Sequence, residues 1–261
     1  MTFHCRAGIA GLVALTICSL GAAAANARTL AVIKERGSIM LCAHPNALPF
    51  SRKAGEPHGF QIDLAELLAK RLGVGLDIGW VVFPFHASRI DCDIILDAIV
   101  DPEVQSERRV KLSHPYHQSG VTIVYRTGST PARTFADLTA KQRIGAIVGS
   151  VARLYLGQRD VPTIPFTFED DLIEGLVAGE LDYALVSPNS VGFYNFQHPN
   201  AKLEVSPAYR QTPELRWTVA VGMRKADDAL VAGINTALDS LLADGTVQRI
   251  YARYGIEHQN P

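Results

Sequence analysis

Cys42-Ala-His-Pro-Asn-Ala-Leu-Pro-Phe-Ser51 is the stretch on which the fold turns. It follows Ser38-Ile-Met-Leu41, a short apolar run that predicts a buried strand. Two prolines then end the ladder, because neither can donate a backbone hydrogen bond. Asn46 and Ser51 place polar groups beside these rigid points, and Gly59-Phe-Gln-Ile-Asp63 opens a helix. Strand, proline-rich polar loop and helix is how an open α/β sheet builds a ligand crevice at the carboxyl end of a strand. An ordinary strand-to-helix connection is the alternative.

Working outward, the alternation continues. Phe60, Leu64, Leu67, Leu68 and Leu72 recur at helical spacing, with Gly73 at the helix end. Residues 76–83 and 92–99 predict two more strands, and residues 85–90 a short helix or loop. Residues 111–116 lead into a strand over 121–126, and Thr127-Gly-Ser-Thr-Pro131 has the composition of a linker. A second unit of similar design follows. Strands are expected at 143–148, 163–168, 182–186 and 216–223, with helices at 134–138, 151–156, 169–178, 227–243 and 247–254. The expected class is α/β, with two lobes, each an open sheet flanked by helices, and a cleft between them.

Upstream of this lies Arg6, then the apolar run Ile9-Ala-Gly-Leu-Val-Ala-Leu-Thr-Ile-Cys-Ser-Leu20 and the small residues 21–27. That is the pattern of a secretory signal peptide over residues 1–27, which implies export to the periplasm. Ile17 stands where lipid attachment at Cys18 would want a small residue. No later stretch is apolar for long enough to cross a bilayer. Outside the leader only Cys42 and Cys92 remain, an even pair in an exported chain, and a Cys42–Cys92 disulfide is expected. Two buried free thiols are the alternative.

The chain of 261 residues has 25 Lys+Arg against 26 Asp+Glu, a balance with no electrostatic case for nucleic acid. The histidines at 44, 58, 86, 114, 117 and 198 lie at no metal-site spacing, and no dinucleotide, P-loop or hydrolase motif is present, so neither a metal nor a cofactor is expected. Asp93, Asp97, Asp101 and Glu103 read as a solvated strand exit rather than a catalytic pair.

Several pieces carry a family resemblance: Gly59-Phe-Gln-Ile-Asp-Leu64, Ser113-His-Pro-Tyr116, Leu176-Val-Ala-Gly-Glu-Leu-Asp182, Val219-Ala-Val-Gly-Met-Arg-Lys225 and Ile250-Tyr-Ala-Arg-Tyr-Gly255. In this order and spacing the chain resembles the bacterial extracellular solute-binding proteins of family 3, which serve polar amino-acid ABC transporters. The resemblance implies a type II periplasmic-binding fold without enzymatic activity, with lobe one over residues 28–126, lobe two over 127–218 and a return segment, 219–261, packing on lobe one. It implies hinge strands near 121–126 and 217–221, a small polar or anionic solute as ligand and an ABC permease as partner. The first third also resembles the J-type periplasmic accessory proteins of methanol and other quinoprotein dehydrogenases. That likeness rests on residues 42–51, Cys92-Asp93, Pro115-Tyr-His-Gln-Ser-Gly120 and Ser187-Pro-Asn-Ser-Val-Gly192. It implies a protein partner instead, the dehydrogenase or its cytochrome. Exported cyclohexadienyl dehydratases share the superfamily and stand as a third reading.

Candidate ligand residues are Asn46, Phe50 and Ser51 in the first loop, Arg108, Tyr116, the helix start at Gly149 and Ser150, and Ser187. Arginine suits a carboxylate because its guanidinium binds it bidentately. Where family members hold an acid for an ammonium group, this chain has Ser187. Weak binding of α-amino acids is therefore expected.

Overall fold

The computed structural model describes residues 28–82, 90–101, 110–200 and 202–261. Helix α1 (Leu30–Arg36) starts on Thr29, whose side chain accepts from Val32 N, and stops at Gly37 in the left-handed region. Strand β1 (Ser38–Ala43) follows, then a tight hairpin of β2 (Asn46–Ala47) and β3 (Ser51–Arg52). Helix α2 (Phe60–Leu72) buries Phe60, Leu64, Leu68 and Leu72 as the spacing predicts, and Gly73 ends it at φ 75°. After β4 (Gly75–Trp80), β5 (Ile94–Ile99) and β6 (Val110–Gly120), the chain enters a second sheet.

That sheet begins with β7 (Thr122–Arg126) and continues with β8 (Ile144–Ile147), β9 (Ile164–Phe166), β10 (Tyr183–Val186) and β11 (Leu203–Val205). Between them run α3 (Val151–Gly157), α4 (Glu169–Val177) and α5 (Pro188–Gln197). β12 (Arg216–Arg224) returns to the first sheet, and α6 (Asp228–Ala243) and α7 (Thr246–Arg253) close the chain.

The two sheets share one design, β4-β1-β5-β12-β6 and β9-β8-β10-β7-β11. In each, the first parallel strand lies between the second and third. The fourth place is taken by an antiparallel strand that has just crossed from the other lobe, β12 in one and β7 in the other. The sheets are therefore mixed rather than wholly parallel. Strands change sheet at Gly120–Val121, whereas the sequence reading divides the lobes after Arg126; residues 127–131 lie wholly within the second unit. At the crossing Val121 N donates to Leu215 O at 3.0 Å, so outgoing and returning chains are bonded together.

One apolar core serves the first sheet, built from Ile39, Leu41, Leu64, Leu68, Ile94 and Leu96 with Val221, Ile234 and Leu238 of the return segment. The second sheet has a core on each face, so β10 is buried along its whole length. The expected disulfide is present. Cys42 leaves β1 as Cys92 approaches the neighbouring strand β5, with their Cα atoms 5.4 Å apart. Next to it, buried Asp93 accepts from Met40 N at 2.8 Å and pairs with Arg36, and Arg28 pairs with Asp91.

Several elements depart from the sequence reading, among them the β2–β3 hairpin and β11, which it did not contain, and β6 and α5. β6 is a strand of 11 residues despite Pro115. It is the edge of its sheet, where proline is tolerated, and the ladder with β12 slips at that point. α5 went unpredicted, although Ser187 caps it and Pro188 occupies its first turn. Most of the expected helix or loop at 85–90, and Glu103 of the acidic run, lie outside the described residues. Asp93, read as part of a solvated strand exit, is instead buried, because Arg36 and Met40 N satisfy its charge.

Candidate functional site

Three candidate segments follow the carboxyl ends of parallel strands: residues 44–51 after β1, Gly149-Ser150 after β8 and Ser187 after β10. This is where open α/β sheets bind ligands. The first loop is stiffened from within. Ser51 is buried and its Oγ donates to His44 O at 2.8 Å, while Asn46 N donates to His44 Nδ1 at 3.0 Å. The Asn46 side chain is exposed. Across the cleft, the His44 ring lies 5.5 Å from the ring of Phe168, at the start of α4. The loop of one lobe thus meets the other lobe directly.

Beside Phe168 stands Glu169, an acid the sequence reading missed. Its Oε1 accepts from Ser187 N at 2.8 Å and its Oε2 from Ser187 Oγ at 3.0 Å, and Ser190 Oγ also donates to it. Burial pushes the Glu169 carboxyl up, and the three hydrogen bonds, which favour its charged form, oppose that shift. Ser187 Oγ accepts from Ser190 N at 3.1 Å in turn. The acid and two serines cap the N-terminus of α5 as one unit. The sequence carries only the local parts of this cap, Ser-Pro at a helix start and an acid opening the preceding helix, and not their meeting.

Gly149 has φ 74°, a conformation that favours glycine. Ser150 Oγ accepts from Arg153 N at 3.3 Å and caps α3. With Val151, Arg153 and Leu154 these residues line an open depression of about 620 Å³. The Arg153 guanidinium has no hydrogen-bond or ion-pair partner among the described residues. It is a cation beside backbone donors that the sequence reading did not single out.

Two candidates fall elsewhere. Tyr116 is 1% exposed and its hydroxyl donates to Leu96 O, which makes it core of the first lobe rather than cleft wall. Burial drives its phenol pKa far above the ordinary value. Phe50 packs on the same core with its ring 5.2 Å from that of Phe60. Burial, the usual fate of a loop aromatic, holds in full at Tyr116, whereas Phe50 stays half-buried. Arg108 lies outside the described residues. Among the described residues no group of three or more His, Cys, Asp or Glu could hold a metal, and no helix is long and apolar enough to cross a membrane.

Two α/β lobes joined by paired crossing strands, with strand-end loops facing each other, define a two-lobe binding protein. The model of the bacterial extracellular solute-binding proteins, family 3, matches residues 39–257, and the chain belongs to that family. Among solved structures it is similar to an ancestral cationic amino acid solute-binding protein, with a TM-score of 0.71 and 22% identity, covering 86% of this chain and 98% of that one. It is also similar to an amino acid ABC transporter substrate-binding protein from Streptococcus pneumoniae bound to L-arginine, with a TM-score of 0.70 and 20% identity, covering 87% and 97%. At such identity the likeness is one of fold. Among curated relatives, the membrane-bound lytic murein transglycosylase F of Pseudomonas putida (strain GB-1) is 28% identical over 254 residues, 90% of this chain and 50% of that protein. That of Ectopseudomonas mendocina is 27% identical over 233 residues, 85% and 46%. The chain spans about half the length of the curated relatives it matches.

Proposed function

We propose that the protein is a periplasmic, non-catalytic receptor that closes its two lobes over a small polar or anionic organic solute and delivers it to an ABC permease. The observation that carries this reading is the His44–Phe168 contact, which brings the strand-end loop of one lobe against the helix start of the other. An anionic group of the solute sits at the Gly149-Ser150 turn, where Arg153 supplies charge and the backbone supplies donors. Asn46, exposed at the open end of the β2–β3 hairpin in the other lobe, orients the ligand, and Arg108 is a second candidate cation.

A thermal-shift screen of small carboxylates, amides and amino acids tests this. A true ligand at a hundred times its dissociation constant adds about 2.7 kcal/mol of stability. Arg153→Ala should then weaken that ligand at least ten-fold. Failure of every small solute to stabilise the protein would count against the receptor reading.

One observation favours the second reading, a protein partner such as a quinoprotein dehydrogenase or its cytochrome. Val151 and Leu154, which line the same depression, are 40% and 63% exposed, and Val148, next in sequence to its lining residue Gly149, is 57% exposed. Exposed apolar side chains in one place suit a protein contact. Sedimentation of the protein with a purified dehydrogenase or cytochrome distinguishes the two readings, because a receptor for small solutes would not co-sediment.

A further inference from the structure

Helix α5 has two working faces. Ser187, Ser190, Val191, Tyr194 and Asn195 recur at helical spacing and serve the second lobe. The serines hold Glu169, Val191 and Tyr194 pack in that lobe's core, and Asn195 exchanges two hydrogen bonds with Leu203 of β11, at 2.9 and 2.8 Å. Asn189, Gly192, Phe193 and Phe196 lie on the other face and meet the first lobe. Asn189 Nδ2 is 3.4 Å from His117 Nε2 on β6. Phe193 belongs to the first lobe's core, its ring 6.1 Å from that of Tyr254. A Cβ on Gly192 would stand 3.4 Å from Gly255 O, and one on Gly255 would collide with Phe196 at 2.2 Å.

The surface that α5 meets is formed by the residues after α7. After α7, Gly255 at φ 67° turns residues 256–259 along the free edge of β6. His258 Nε2 donates to Tyr116 O at 2.7 Å, and Gln118 N donates to Gln259 O at 2.9 Å. These bonds fall on either side of His117, just before the chain crosses between lobes. The His117 ring is wedged between Tyr251 and His258, at centroid distances of 4.8 and 5.3 Å.

We infer that the C-terminal segment 254–259 is a strap that fixes the hinge. It holds β6 from its open edge and offers α5 a seat, so the lobes are joined by a third tie besides the two crossing strands. Opening the cleft by any rotation that lifts α5 from β6 must break the Asn189–His117 contact and pull Phe193 from the first lobe's core. The strap therefore sets how far the lobes part.

The test uses the full-length mature chain with spin labels on exposed positions either side of the cleft, Lys53→Cys and Gln158→Cys, the native cysteines being tied in their disulfide. Double electron–electron resonance gives the distance distribution without ligand. With the strap intact, a narrow distribution is expected. Truncation after Glu257, which removes both strap hydrogen bonds to β6, should raise the open population about ten-fold. His258→Ala and Asn189→Ala should each give a smaller shift in the same direction, and they keep the test alive if the truncated chain does not fold. Distributions for both point variants that superimpose on that of the parent would overturn the inference. Because no ligand is used, the outcome is independent of what the cleft binds.

Discussion

Glu169 and Ser187 stand on different elements, yet the carboxylate of one takes both the backbone N–H and the hydroxyl of the other, at 2.8 and 3.0 Å. The pair fastens the start of α5 to the start of α4. Charge-assisted bonds to a helix N-terminus are among the stronger polar contacts a fold can make. Glu169→Ala leaves the Ser187 N–H without its acceptor in a half-buried place. We predict a loss of about 2–3 kcal/mol in urea unfolding, with Glu169→Gln recovering part of it. A variant with an unchanged urea midpoint would show that the cap contributes nothing.

Cys42 and Cys92 close a loop with a sequence separation of 50. Free-thiol titration of the unfolded, unreduced protein from residue 28 onward should find no reactive thiol. Breaking the bond frees the unfolded chain, so reduction should lower stability by about 2–4 kcal/mol. Equal unfolding midpoints with and without reductant would rule out a stabilising bond.

Much of this architecture is legible in the sequence, because it rests on local periodicity. Leu64, Leu68 and Leu72 on α2 and Leu230, Ile234 and Leu238 on α6 each form one apolar stripe, and each is buried as the stripe requires. α5 escaped this reading for a physical reason. It is buried on two faces against two lobes, so no single stripe marks it, and Asn189 and Gly192 occupy places where apolar residues would be sought. The site was harder still. Tyr116 and Phe50 sit beside prolines in sequence, but only the tertiary fold shows that Tyr116 is buried in the first lobe's core and that Phe50 packs, half-buried, against it. Glu169 lies 18 residues before Ser187, and nothing in the linear pattern announces that they meet. Pairing across a sheet is a long-range property, and local spacing does not encode it.

His117 offers a pH signature. Burial, then the neighbouring His258, lower its pKa to about 4, while the Gln259 backbone and Asn189 oppose the shift. Burial lowers the pKa of His258 as well. In the window from about 6.5 down to about 4, the unfolded chain takes up a proton at His117 that the folded chain refuses. Unfolding is then accompanied by proton uptake, so stability falls as pH falls through that window and is constant with respect to this group above it. The contribution is about 3 kcal/mol when fully expressed. Urea melts of the parent and of His117→Gln at pH 7.5 and pH 4.5 should converge at the lower value. Parallel pH profiles for the two proteins would show that His117 does not titrate in this way.

Standard α-amino acids should bind weakly or not at all. An ammonium group taken out of water needs an acidic partner with free lone pairs, because an unpaired buried charge is strongly disfavoured. The position after β10 holds Ser187, and its hydroxyl is already committed to Glu169. Glu169 itself is near enough to be considered, but three donors from Ser187 and Ser190 already take most of its lone pairs. Burial also favours its neutral form, which would attract an ammonium less. A carboxylate without an adjacent ammonium meets no such difficulty at Gly149, Ser150 and Arg153. Calorimetry of the protein from residue 28 onward against the common amino acids, and against mono- and dicarboxylates lacking an amine, separates the cases. We expect heats of binding only in the second set. Micromolar binding of any common amino acid would mean that Glu169 releases its serines to meet the ammonium, and Glu169→Gln would then abolish that binding.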